Sequence, residues 1–240
     1  VTPSDLEIRS LNSATEMVAL SNVFQQVWGS ATPLVEVELL SAIAHSGGYV
    51  VGAYDAGNII GASFGFLAQH RGEPALHSHV TGILPGVQLS GVGRAMKNHQ
   101  RLWAHTTGLK WVTWTFDPLV RRNAWFNIEV LKAEVAEYLT NFYGPIDDAI
   151  NARDESDRLL VAWPTETDSG RDDHRQPQIS THGLIEVPTP EDVVVLRRTQ
   201  PDEAVVWRRR VRAELAGPIN NGAKVVGFTR EGSYLLRPGT

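Results

Sequence analysis

The chain has 240 residues, 22 Lys+Arg against 27 Asp+Glu, 42% hydrophobic residues, seven Trp and no Cys. That content supports a substantial core and excludes a wholly disordered chain. The missing Cys excludes a disulfide scaffold, thiol catalysis and every Cys-based metal site. At this length one large domain, or a domain of about 150 residues with an appendage, is expected.

Residues 1–185 carry 13 basic and 20 acidic side chains, and residues 186–240 carry nine and seven. An acidic body argues against nucleic acid as a partner. The most apolar stretch, Tyr49 to Ala68, is broken by Asp55 and Asn58, which argues against a membrane span. With no signal-peptide layout at the N-terminus, the reading is a soluble, cytoplasmic protein.

In chain order, Glu7–Leu11 alternates like a strand, and Ser13 with Glu16 forms a capping box for a helix to about Val27. Pro33 opens a second helix that stops at Gly47-Gly48. Two β-rich runs flank Asp55-Ala56-Gly57 and predict a hairpin. A third run, Leu76 to Leu84, ends at Pro85 and leads through Gln88–Gly93 into a helix closed by Gly108. Lys110–Phe116 is strand-like, Arg121–Val135 has helical period, and Ala136–Gly144 and Ser156–Pro164 predict closing strands. Residues 165–185 read as a polar linker. In residues 186–240, Pro190 and Pro201 precede helix-compatible runs, and a hairpin turns around Glu231-Gly232. The run Trp207–Arg212 reads as a solvated helix face with Trp207 inward.

Gln88-Leu89-Ser90-Gly91-Val92-Gly93 forms a Q-x-x-G-x-G pattern between a strand and a helix. Glycines here permit a tight turn and let backbone N–H groups approach a diphosphate, with the helix dipole behind them. A plain strand-to-helix turn is the alternative. A Rossmann fingerprint is disfavoured because a hairpin precedes the motif, and a P-loop because Gly93 is followed by Arg94-Ala95.

With this element order, and with Pro85 three residues before Gln88, residues 7–163 resemble the GNAT superfamily of acyl-CoA-dependent N-acyltransferases. The strings LHSHVTGILP, TWTFDPL, RNAWFN, NFYG and SDRLLVAW are similar to those of a bacterial subgroup with a C-terminal extension. The resemblance implies an α/β fold: a mixed, mostly antiparallel sheet with splayed fourth and fifth strands, flanked by helices, plus a small α/β extension. It divides the chain into a catalytic domain (1–164), the linker (165–185) and the extension (186–240). It also implies that Ile83 and Leu84 pair with pantetheine amides, that the backbone from Leu89 through Ser90, Gly91, Val92 and Gly93 to Arg94 holds the diphosphate, and that Gln88 shapes the loop. Asn123 and Phe126 would lie along the pantetheine arm. The resemblance further implies acetyl-CoA or another acyl-CoA such as succinyl-CoA as donor, a primary amine as acceptor, with a small molecule such as an amino acid preferred over the alternative of a protein N-terminus or lysine, and a homodimer as the expected assembly.

Family members commonly carry a carboxylate base on the fourth strand, where this chain has His77-Ser78-His79. Two imidazoles two residues apart share a strand face and, unperturbed, are neutral at pH 7, so His79 or His77 is the candidate base. Hydrogen bonding inside the sheet, recognition of an acceptor carboxylate, and an H-x-H zinc site completed by His45, His70 or Asp117 are the alternatives; the preferred reading has no metal. The family's usual Tyr acid aligns with Ile128, which leaves Tyr143, or Tyr138, as the substitute and a non-catalytic acyl-CoA binder as the rival function. Asp157 and Arg158 read as an ion pair at the sheet end, or as a fork for an acceptor carboxylate.

Overall fold

A computed structural model describes residues 5–88, 90–146, 150, 154–166 and 183–239. Their contacts divide the chain into two compact units, one of Val1–Trp114 and Asp148–Ile150, the other of Thr115–Asp147 and Asn151–Thr240. The division falls inside the fifth strand.

The first unit begins with β1 (Leu6–Ser10), α1 (Ala14–Trp28) and α2 (Val37–His45). The Ser13–Glu16 capping box forms as expected, with each side chain accepting from the other residue's backbone N–H. α2 starts four residues after Pro33. The intervening segment bends at Leu34 and Val35, with Val35 buried and its carbonyl accepting from the Ser21 hydroxyl at 3.4 Å.

β2 (Tyr49–Asp55), β3 (Asn58–His70) and β4 (Glu73–Ile83) form an antiparallel meander beside β1. β4 begins three residues earlier than the sequence pattern predicts. Arg71 and Gly72 both take positive φ, 52° and 77°, and make a two-residue hairpin that Asn-Gly or Asp-Gly would have announced. α3 (Val92–Thr106) follows, ended by Gly108 at φ 80° as predicted, and β5 (Trp111–Phe116) returns parallel to β4. The core lies where α1 packs on β3, around Leu20, Phe24, Leu40, Val50 and Phe64.

The second unit takes over β5 at Thr115 and continues through α4 (Arg121–Ala124) into a π-helical turn, Trp125–Val130. The predicted helix to Val135 therefore ends early. β6 (Glu134–Leu139) has already begun by then and pairs antiparallel with β7 (Arg158–Pro164). The strand order is β1-β2-β3-β4-β5-β7-β6, a mixed sheet in which β4 and β5 run parallel.

The remainder comprises β8 (Ile185–Pro188), α5 (Val193–Thr199), α6 (Pro201–Asn220) and the hairpin β9 (Lys224–Phe228) and β10 (Ser233–Arg237), with β10 central in a three-stranded sheet. Most of the predicted polar linker, 167–182, lies outside the described residues.

Here the Arg-rich run departs from expectation. Arg208 is 1% exposed and donates to both carboxylate oxygens of Asp117, at 2.8 and 2.9 Å, and to Asp154 at 2.9 Å. Arg197 joins the same two carboxylates. Arg212 grips Asp157 through two hydrogen bonds, and Trp207 is only half-buried beneath the Arg210 guanidinium. Asp157 and Arg158 do not form a surface pair: both are buried, and Arg158 donates to the Asp157 carbonyl. The acidic body and basic tail of the sequence thus meet in a buried network within this unit, where each charge needs a partner to offset its desolvation.

Candidate functional site

β4 positions the site. Its pairing with β5 covers only Ala75↔Trp111, Leu76↔Val112 and His77↔Thr113; beyond that register the two parallel strands share no ladder. On its other edge, Phe64 pairs with Val80 and Gly65 with Ser78, so His79 is the extra residue of a β-bulge. A bulge leaves one residue out of the ladder and re-aims its side chain. The sequence gives no sign of it.

His77 and His79 do share a face, with ring centroids 6.0 Å apart and Phe66 within 5.5 Å of both. Their environments differ. His77 Nδ1 lies 3.2 Å from Thr113 Oγ1; burial, then the charges of His79 and Lys97, push its pKa down to about 4. His79 rests against Phe64 and Phe66 but retains an exposed surface, and desolvation by those contacts lowers its pKa. Both imidazoles are therefore neutral at pH 7. His79 is the one that reaches a groove of about 530 Å³ between the α1–α2 connection, α2 and β3. Leu34, Leu39, Ile43, Phe64 and Phe66 give that groove apolar walls. Glu36 is the one formally charged side chain among its described lining residues and makes no cap bond to α2.

At the other end of β4 the chain turns through Ile83 and Leu84 into the glycine loop. Leu84 N–H is bonded to Ile60, and Gln88 Nε2 donates to the Ile83 carbonyl at 3.3 Å, tying loop to strand. Ser90 Oγ closes a turn onto the Val87 carbonyl. Gly91, at φ 91°, is the N-cap of α3, a conformation that suits glycine, and it brings no side chain to the helix end. The first turn of α3, with Val92, Gly93 and Arg94, contains no acidic residue, and Arg94 is exposed. Uncapped amides, a helix dipole and a cation make this end suitable for an anion. Leu89 lies outside the described residues.

Asn123, Phe126 and Tyr143 belong to the second unit. Asn123 sits in α4, Phe126 in the π-helical turn, and both are half-buried. Ile128 is a core residue. Tyr143 is 41% exposed, its hydroxyl 3.2 Å from Thr115 Oγ1 and its ring beneath the Arg158 guanidinium. Tyr138, the other candidate, is buried and donates to Asp157 at 2.6 Å, a structural role.

Sequence reasoning missed Lys97. It lies on the buried face of α3, donates to Ser78 Oγ at 2.9 Å and Gln100 Oε1 at 3.2 Å, and stands 4.1 Å from the Trp114 ring centroid; burial pushes its pKa down to about 7. The available signal was its place between Met96 and Gln100 on the helix stripe that begins at Val92. Among the described residues no group of three or more His, Asp or Glu is arranged to hold a metal ion, and Asp117 is committed to Arg197 and Arg208. No helix of the described residues is long and apolar enough to cross a membrane.

No family model and no curated protein matches the sequence. Solved structures do. The ribosomal-protein-S18-alanine N-acetyltransferase from Escherichia coli superposes with a TM-score of 0.54 at 16% identity, over 70% of this chain and 98% of that one. The acetyltransferase of the GNAT family from Streptococcus pneumoniae gives 0.51 at 13%, over 67% and 99%. A chain of the NatC complex, solved bound to Gag peptide and CoA, gives 0.52 at 10%, over 67% and 98%. Identities this low speak for architecture alone: the chain has the GNAT fold.

Proposed function

We propose that this protein transfers an acyl group from acyl-CoA to a primary amine by direct attack in a ternary complex. The carrying observation is that one strand, β4, bears His79 on an apolar groove at its bulge and ends at the glycine loop before α3. Donor and acceptor would then meet along a single element.

In the proposed reaction the amine nitrogen attacks the thioester carbonyl, the C–N bond forms, and the C–S bond breaks as CoA leaves as thiolate. His79 takes the proton lost by nitrogen, directly or through water. His77, tied to Thr113 and the harder of the two to charge, orients the pair. Tyr143 is the proposed proton donor to the thiolate. Amides of Gly91–Arg94 would hold the diphosphate, Ile83 and Leu84 the pantetheine, and Asn123 and Phe126 would line its path. The machinery would sit in residues 1–164, with residues 186–240 bracing Asp117 at the end of β5.

The acceptor follows from the groove. Apolar walls with one carboxylate and no cation favour a small ammonium-bearing molecule with an apolar body, because a second carboxylate on the acceptor would face Glu36 without a partner. The test is CoA thiol release from acetyl-CoA and succinyl-CoA across an amine panel. Apolar amines should outpace acidic amino acids. Preference for peptides with an apolar first residue would move the reading to protein N-termini. Acyl-CoA binding with no turnover on any amine would leave a non-catalytic binder.

A further inference from the structure

The Arg-rich helix α6 reaches Tyr143 through a short chain of contacts that lies wholly inside the second unit. α6 buries Ala204, Arg208, Val211 and Leu215 along one stripe, and Arg212 stands at the margin of that stripe. Its Nε donates to Asp157 Oδ2 at 2.8 Å and its Nη2 to Oδ1 at 2.7 Å. Asp157 is 0% exposed, and the same two oxygens accept from the Tyr138 hydroxyl and, at 2.9 Å, from the Asn141 N–H. Arg208, one turn earlier on α6, is committed to Asp117 and Asp154.

Asn141 opens the turn that carries Tyr143. Its φ of 45° is left-handed, a conformation that surrounding bonds must maintain. Besides Asp157 they come from Ser156: its N–H donates to Asn141 Oδ1 at 3.2 Å, its carbonyl accepts from Phe142 N–H at 3.0 Å, and its Oγ accepts from Tyr143 N–H at 2.8 Å. The rings of Phe142 and Tyr143 are both exposed, so packing does not locate the Tyr143 hydroxyl; the turn beneath it does. Burial pushes the Asp157 carboxyl up, and hydrogen bonding from Arg212 is the largest effect that brings it below its ordinary value. Without Arg212 the bond that anchors the Asn141 N–H shifts from a charge-assisted one towards a weaker, neutral one.

We propose that Arg212, in the C-terminal extension, is a positioning residue for Tyr143: by neutralising Asp157 it fixes the turn from Asn141 to Gly144 and holds the phenol beside Thr115, ready to protonate the departing thiolate. In that step the Tyr143 O–H bond breaks as the S–H bond forms, and the exposed phenolate regains a proton from water. The catalytic meaning rests on the transferase reading above; the hold of Arg212 on the turn does not.

The experiment follows amide hydrogen exchange of residues 139–144 and thiol-release kinetics in wild type, Arg212→Ala, Arg212→Lys, Tyr143→Phe and the double variant Arg212→Ala/Tyr143→Phe. In Arg212→Ala, exchange in the turn speeds up about tenfold, and kcat falls about tenfold with the acyl-CoA KM little changed. Tyr143→Phe lowers kcat about 10²-fold, and the double variant falls no further, because both changes remove one function. Arg212 is partly open to solvent, with 26% of its side chain exposed, so millimolar guanidinium should restore activity to Arg212→Ala and not to the double variant. Should Arg212→Ala fold poorly, Arg212→Lys, which keeps the charge but not the two-pronged grip, carries the same comparison with an intermediate effect. A folded variant whose turn exchanges at the wild-type rate overturns the proposal. So does a double variant in which the two losses multiply, since Arg212 would then act elsewhere. Faster exchange in a chain that acylates no amine removes the transferase reading and leaves the hold on the turn; turnover untouched by Tyr143→Phe removes the proton-donor role and the catalytic half of the proposal with it.

Discussion

Replacing Lys97 by Met should make the protein more stable at neutral and acidic pH. Lys97 has its ordinary pKa of 10.5 in the unfolded chain and about 7 in the folded one. Between those values the unfolded state holds a proton that the folded state has released. Stability therefore rises with pH across that window, and the burial penalty is present in full below 7. A displacement of about 3.5 units corresponds to about 5 kcal/mol. Against this, Met no longer donates to Ser78 and leaves the Gln100 carbonyl oxygen without a partner, beside an Nε2 that is already unsatisfied. Those losses cost about 3 kcal/mol together, so the net gain is about 2 kcal/mol at pH 6, shrinking to nothing or reversing by pH 10. Urea unfolding of both proteins at pH 6, 8 and 10 measures it. A difference between them that does not change with pH would refute the reasoning, because the penalty would then not be that of a buried ammonium.

Other perturbations separate the groove, the base and the buried network. His79→Ala should lower kcat/KM about 10²- to 10³-fold and remove the imidazole limb of its pH profile, with a smaller loss for His77→Ala, both read by thiol release. Glu36→Gln should raise KM for the preferred amine about fivefold and leave that for acyl-CoA unchanged; equal effects on both substrates would remove Glu36 from the acceptor groove. Asp117→Asn should destabilise the protein by about 3–5 kcal/mol by removing the carboxylate charge that Arg197 and Arg208 share, as measured by thermal unfolding. Burial raises the Asp117 pKa, but its arginine neighbours together outweigh that and hold it well below the usual carboxylate range, so its stabilisation is present above the ordinary Asp pKa and is lost as pH falls below it.

What could be read in advance was whatever a short stretch of chain decides for itself. Ser13 and Glu16 cap α1 from three residues apart, and Asp55-Ala56-Gly57 turns a hairpin with its own backbone. Gln88 to Gly93 shows a strand handing over to a helix through glycine. The misreadings share the opposite property. Arg208 looks like one arginine of a solvated run because the carboxylates that bury it, Asp117 and Asp154, stand 91 and 54 residues away. The helix predicted to Val135 gives way because Glu134 and Val135 pair with Ala162 and Val161 of β7, far along the chain. Lys97 is the same case at the site itself. Its helix offers an apolar stripe, but whether the ammonium reaches water is settled by Ser78, 19 residues earlier, and by a Trp on the strand beyond. His77 and His79 fall between the two kinds. Their common face follows from spacing, while the difference between their surroundings comes from a bulge at His79 and a threonine on β5 beside His77. Residue types and spacing are enough to nominate a base. Choosing which imidazole serves requires knowing where each ring's charge would be opposed, and that depends on how β4 and β5 come together.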